Sequence, residues 1–244
     1  VLLDAWLLGH DERFMQMADR LIKRCIHPED DIARHDLLNA EKRWSYTMFL
    51  TSLVKYLRSK LDWQMTDEMF DYAKQSLLHY AQWMAANERP YLDHPESLEY
   101  PTEAWAAQEF RKANALRMAA LFTSDEEAAD RWIAKGNALS DRAWQDLHSF
   151  DTCHFTRAIA VMMIEGTTDG FLRSEPRSVW HAEECRRSFQ PPAQFEPQRT
   201  RVTRGMKTVN GIAGYSIRLL NPIRWYQWNR SRKQAKQNAR GDAR

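Results

Sequence analysis

Along the first two thirds of the chain, apolar residues recur at the three-and-four spacing of helices that bury one face. Six such segments follow one another to about residue 166. The first, about 3–26, sets Phe14, Ala18, Leu21, Ile22, Cys25 and Ile26 on one side and Asp11, Glu12, Asp19, Arg20 and Lys23 on the other. The second, about 42–60, is apolar on more than one side through Trp44, Met48, Phe49, Leu53 and Leu57. The third, about 66–86, starts at Thr66 as an N-cap and carries the stripe Met69, Phe70, Ala73, Leu77, Tyr80 and Met84. The fourth, about 102–122, opens at Pro101-Thr102-Glu103 and is rich in alanine. The fifth, about 125–147, follows the capping box Ser124-x-x-Glu127. The sixth, about 152–165, contains seven consecutive apolar residues from Ala158 to Ile164. The pattern predicts an all-α protein.

Helices one, three and five read as outer helices with a wet face, while two, four and six read as enclosed. The connections alternate as well. Those entering helices two and four are long, about 27–41 and 88–101, and those entering three and five are short. Stacked antiparallel hairpins of this kind gather their long loops at one end. Chain length placed in loops on a rigid scaffold commonly serves binding.

Composition changes the picture mainly through charge. The 244 residues carry a formal net charge of +2, but 201–244 hold eleven Lys/Arg against Asp242 alone, so the first 200 residues are acidic. Three widely spaced cysteines (Cys25, Cys153, Cys185) and the absence of CxxC disfavour a disulfide framework or zinc site and point to a reducing, cytoplasmic setting. Each cysteine reads first as a small buried hydrophobe. No run approaches the roughly 18 apolar residues of a membrane span, and no signal peptide is visible. Because Val1 to Trp6 already read as helix interior, the chain is expected to be a fragment of a longer one.

Three stretches carry a resemblance: Ala5-Trp6-x-x-Gly9-His10-Asp11-Glu12-Arg13-Phe14, Tyr100-Pro101-Thr102-Glu103-Ala104-Trp105, and Ala119 to Ala128. They resemble hairpins of the (α/α) toroid proteins, which include six-hairpin glycosidases, polysaccharide lyases and sugar epimerases. The likeness is one of pattern over residues 1 to about 166, with no diagnostic catalytic motif. A complete toroid has about twelve helices, so it implies half a toroid, a partial ring whose other half lies upstream. A helical solenoid is the main competitor, although no fixed repeat near 34 or 40 residues is present.

In such toroids the substrate cleft lies at the rim where the inner helices begin. Here that rim holds Arg43-Trp44, the loop from Tyr91 to Tyr100 running into Glu103 and Trp105, and His154. Trp44, Trp105, Tyr100, Arg43 and Arg111 are the candidate sugar-binding residues. Glu103, His154, Glu96 and Asp93 are the candidate catalytic ones. A hydrolase would pair Glu103 with Asp93 or Glu96 across the scissile bond. A lyase or epimerase would need a base and a group that neutralises a uronate, for which His154, Tyr100, Arg43 and Arg111 are the candidates. Structural readings stand beside these: Glu103 as a first-turn carboxylate on the helix dipole, the tryptophans as core. No HExxH, GxGxxG, P-loop or GxSxG is present, so no metal or cofactor is expected.

Residues 167–200, with Pro176, Pro191, Pro192 and Pro197, read as an extended segment, and 201–244 as a basic, aromatic and irregular tail. The tail either packs on the body or meets a protein partner or an anionic membrane, which would place the protein at the inner membrane face. Nucleic acid ranks behind these. The expectation is a carbohydrate-acting domain of a glycoside hydrolase, lyase or epimerase type. The alternative is a non-catalytic helical scaffold with a partner-binding or membrane-surface tail.

Overall fold

The computed structural model describes residues 1–151 and 156–174, together with Phe189 and Arg204. Contacts divide the chain at Pro192, and all described residues except Arg204 lie in the first unit, to which the statements below refer. The protein is all-α, with no strand among the described residues. The helices are α1 (Leu2–Gly9), α2 (Glu12–Cys25), α3 (Ala40–Arg43), α4 (Tyr46–Asp62), α5 (Glu68–Asn87), α6 (Glu103–Ala120), α7 (Glu126–Ser149), α8 (Thr156–Val161) and α9 (Thr167–Ser174). A π-helical turn over Met162–Gly166 joins α8 to α9. Short 3-10 turns over Ile32–His35, Tyr91–Asp93 and Pro95–Ser97 punctuate the two long loops.

Local chemistry sets the breaks. The expected first helix is two. His10 takes a left-handed conformation at φ 48°, its N–H donates to the Trp6 carbonyl at 2.6 Å, and its ring lies against Trp6 and Trp63. Asp11 then restarts the helix by accepting the Arg13 N–H at 3.0 Å. Two caps also differ from expectation by one residue. Asp67, not Thr66, caps α5 by accepting the Phe70 N–H, and Asp125, not Ser124, caps α7 by accepting the Ala128 N–H. A rigid carboxylate adjacent to the expected hydroxyl wins because it also favours the positive end of the helix dipole. The sixth predicted helix continues past Gly166 to Ser174 by absorbing an extra residue in the π turn.

α6 lies at the centre, packed against α4, α5, α7, α8 and α9, and all its residues except Arg111 and Met118 are buried. Leu50, Leu53, Leu57, Phe70, Leu77, Met84 and Leu116 form the main core, each contributing roughly 1.5–3 kcal/mol relative to exposure. α2 and α7 keep wet outer faces, as read from the sequence. Three helices depart from the expected alternation: α4, expected to be enclosed, keeps a wet face through Met48, Ser52, Lys55, Arg58 and Asp62. α5 is enclosed rather than peripheral, burying Asp71, Lys74 and Ser76 with its apolar stripe. The last helix is not enclosed: Ile159, Met163 and Ile164 are 51, 73 and 67 % exposed, and its acids Glu165 and Asp169 turn inward onto α6 instead. Cys25 is exposed rather than buried. No helix among the described residues is long and apolar enough to cross a membrane. Apart from 167–174, Phe189 and Arg204, the segments 167–200 and 201–244 lie outside the described residues.

Candidate functional site

The two long loops meet. Glu41 accepts the Glu99 N–H at 2.8 Å, stitching the first loop to the second. Beneath that link, Ala40, Leu98 and Trp105 are buried together, with Trp44, Tyr91 and Leu92 packed against them. The Tyr91 and Trp105 rings lie 5.1 Å apart. The first loop is anchored at its far end by Asp30, which accepts from the His27 N–H and the Tyr80 hydroxyl and whose carbonyl lies 2.9 Å from His79 Nε2. Between the loops opens a cavity of about 320 Å³ walled by Leu37, Leu38, Asn87, Tyr91, His94 and Lys112, among others. That volume is at the lower end of the roughly 300–1,000 Å³ of small-molecule pockets.

The cavity wall is held by a buried charge cluster on α6. Lys112 Nζ lies 2.9 Å from Glu88 and 3.2 Å from Glu109, donates to the Arg89 carbonyl at 2.6 Å, and sits 3.3 Å from the centre of the Tyr91 ring. Glu88 also accepts from the Tyr46 hydroxyl. Glu109 accepts the Tyr91 N–H at 2.6 Å, and its Oε2 has no partner among the described residues. Burial pushes the Glu109 carboxyl up to about 7, against the pull of Lys112. Burial works against the Lys112 ammonium, yet Glu109, Tyr91 and Glu88 outweigh it and hold the lysine above its ordinary value. The Tyr46 hydroxyl is raised by burial and then by the neighbouring Glu88 charge.

A second polar group lies on the adjacent face of α6. The guanidinium carbons of Arg111 and Arg157 lie 5.9 and 4.7 Å from the centre of the Trp44 ring. Arg111 donates to Gln108 Oε1 at 3.2 Å and meets Glu165 at 3.4 Å. Asn114 donates to both the carbonyl and the carboxylate of Glu165 at 3.0 Å. Gln108 Nε2 and Asn114 Oδ1 are buried without a partner among the described residues.

The structure therefore brings Trp44, Trp105 and Arg111 of the expected rim together. Glu103 opens α6 and is buried. Asp93 is held at 2.9 Å by Arg142 of α7, which also binds Asp146. Glu96 is exposed beside His94, and its carboxyl is held below the ordinary range by its own backbone N–H and by His94. Tyr100 is 69 % exposed, and its carbonyl accepts the Trp105 indole N–H. Arg43 is exposed at the end of α3. His154 lies outside the described residues. The parts that Glu88 and Glu165 play in these charge clusters went unread in the sequence. The readable signal was an alanine-rich helix with Gln108, Glu109, Arg111 and Lys112 packed into it, since small neighbours imply close packing and hence buried charge. Among the described residues no group of three or more His, Cys, Asp or Glu is placed to hold a metal ion. Comparison with protein-family models, curated proteins and solved structures finds no match to this chain.

Proposed function

We propose that this chain is a carbohydrate-handling domain of the (α/α) toroid kind, with the cavity between the two long loops receiving a sugar. The observation that carries this reading is the cavity itself. The Tyr91 ring, the Asn87 amide and the His94 imidazole are among its lining, the mix that takes both the C–H face and the hydroxyls of a sugar. The all-helical stack, with long loops meeting at the cavity, supports the toroid comparison. The basic aromatic segment 201–244 is assigned to a protein partner or an anionic membrane surface, and flotation on anionic liposomes with and without it tests that role.

A non-catalytic binding role is favoured by one specific feature: Asp93 is committed to Arg142, and Glu96 stands with His94 at the exposed surface of the loop. Glycan-array binding followed by a turnover assay on the bound sugars tests both readings. Leu38 lines the cavity yet is 58 % exposed, so Leu38→Trp fills the mouth without touching the core. Loss of glycan binding at unchanged melting temperature supports the assignment. Undiminished binding in that variant overturns it. Binding without turnover selects the scaffold role.

A further inference from the structure

We propose that the cavity between the two long loops selects a sugar that carries a phosphate ester, with Arg89, Tyr91 and His94 as the groups that hold the phosphate. This deepens, and rests on, the glycan reading above. The polar groups of the cavity wall divide into those already engaged and those left open. Glu88 and Lys112 are engaged. They lie 2.9 Å apart, Glu88 also accepts from the Tyr46 hydroxyl, and Lys112 turns to Glu109 and to the Arg89 carbonyl as well. Both are buried, and their charges cancel. The groups left open are mainly donors. Arg89, Tyr91 and His94 all line the cavity, and all belong to the loop that follows α5.

Arg89 is exposed, and among the described residues no carboxylate pairs with it. Tyr91 gives its backbone N–H to Glu109 and its ring face to Lys112, which leaves its hydroxyl uncommitted among the described residues. Burial holds that hydroxyl above its ordinary value, so it stays protonated and able to donate. His94 Nδ1 lies 3.1 Å from Glu96 Oε1, a contact that orients the ring and leaves Nε2 for a ligand. Nε2 donates when the ring is charged and accepts from a phosphate O–H when it is neutral. Asn87 donates to the Trp83 carbonyl at 2.8 Å and keeps its amide oxygen for a sugar hydroxyl. Glu88 is the one acid in the wall, and it is already neutralised, so nothing there repels an anion. A phosphate ester brings about −1.5 to −2 charge and three acceptor oxygens, one for each donor. Arginine is suited to it because the guanidinium fork matches phosphate geometry. A carboxylate offers two oxygens in one plane, and a neutral hydroxyl would leave Arg89 without a counter-charge. The volume of about 320 Å³ suits one substituted ring rather than a long oligosaccharide.

Isothermal titration of the full chain tests this with glucose, galactose and mannose, their 1-phosphates, glucuronate and inorganic phosphate, in the wild type and in Arg89→Gln. Because the Arg89 side chain is exposed and its carbonyl is kept, that variant is expected to fold, which its melting curve verifies. At least one sugar 1-phosphate should bind about tenfold or more tighter than its parent sugar, as one charge-assisted contact would give. Arg89→Gln should bring the two close to parity while leaving the affinity for the parent sugar unchanged, and glucuronate should gain less than the phosphate esters. Equal affinity for the phosphorylated and parent sugars, an advantage that survives in Arg89→Gln, or glucuronate binding as tightly as the phosphate esters overturns the phosphate assignment and leaves the glycan reading standing. Inorganic phosphate binding as tightly as the sugar phosphates, with no binding of the parent sugars or glucuronate, overturns the glycan reading, and the assignment falls with it. No binding of any probe overturns the assignment, and the glycan array with Leu38→Trp then decides the glycan reading separately.

Discussion

Gly136 of α7 faces the backbone carbonyl of Ala113 in α6 so closely that a Cβ built on it would lie 2.9 Å from the oxygen and 3.1 Å from Arg117 Cγ. An alanine in mid-helix normally gains up to about 1 kcal/mol over glycine. Here the sign reverses, because the obstacle is backbone in the most buried helix of the protein. Gly136→Ala is expected to lower stability by roughly 1–3 kcal/mol, read as a reduced urea midpoint. An unchanged or raised midpoint would show that the two helices can part without penalty.

Lys112 neutralises Glu88 and stands beside Glu109 in a region sealed from water. Removing one partner of such a buried group strands the others. Lys112→Met should cost about 3–5 kcal/mol. Adding Glu88→Gln and Glu109→Gln to it should return part of that loss, because amides need no counter-ion. Denaturant melts of the single and triple variants decide the matter, and equal loss in both would mean that packing, not charge, sets the penalty.

Glu109 also predicts a pH dependence. Its carboxyl is raised from 4.5 to about 7 in the folded protein. Between those values the folded state holds a proton that the unfolded chain has released, so this group's contribution is full below about 4.5 and is lost as pH rises through about 7. The effect is on the order of 3 kcal/mol. Stability of the wild type minus that of Glu109→Gln should therefore decline from pH 4.5 to 7 and level off above it. A flat difference would place the ionised form comfortably inside the fold.

Asp67 has two duties, capping α5 through the Phe70 N–H and holding the fully buried Lys60 ammonium at 2.7 Å. Asp67→Asn keeps an oxygen for the cap and loses the charge, whereas Asp67→Ala loses both. The second should be less stable than the first by about 1 kcal/mol, the worth of a cap. Thermal melts of the two variants give the comparison, and coincident curves would assign the whole effect to Lys60.

The helical class and the meeting of the long loops were legible because both follow from local periodicity and from chain length. The interruption at His10 was not. It depends on ring contacts with Trp63, more than fifty residues away. Capping by Asp67 and Asp125 was missed by one position, because a neighbouring hydroxyl satisfies the same pattern. Of the site, Trp44 and Trp105 were readable as aromatic residues near helix starts, and Arg111 as a basic residue within the alanine-rich helix. Glu88, Glu165 and Asp169 were not, since each acquires its significance from a cation on α6 far away in sequence.

The charges inside α6 have a consequence for how the molecule comes together. Lys112 takes its counter-charge from Glu88, upstream of α6, while Arg111 and Arg117 take theirs from Glu165 and Asp169, downstream of it. No contiguous stretch that stops short of α9 can neutralise that rod, so trimming the chain before Thr167 strands Arg117 in the interior. Repeat arrays tolerate piecewise assembly because each unit answers only to its neighbour. This helical body is indivisible by comparison, and both the end of α5 and the last helix must arrive before its middle is at rest.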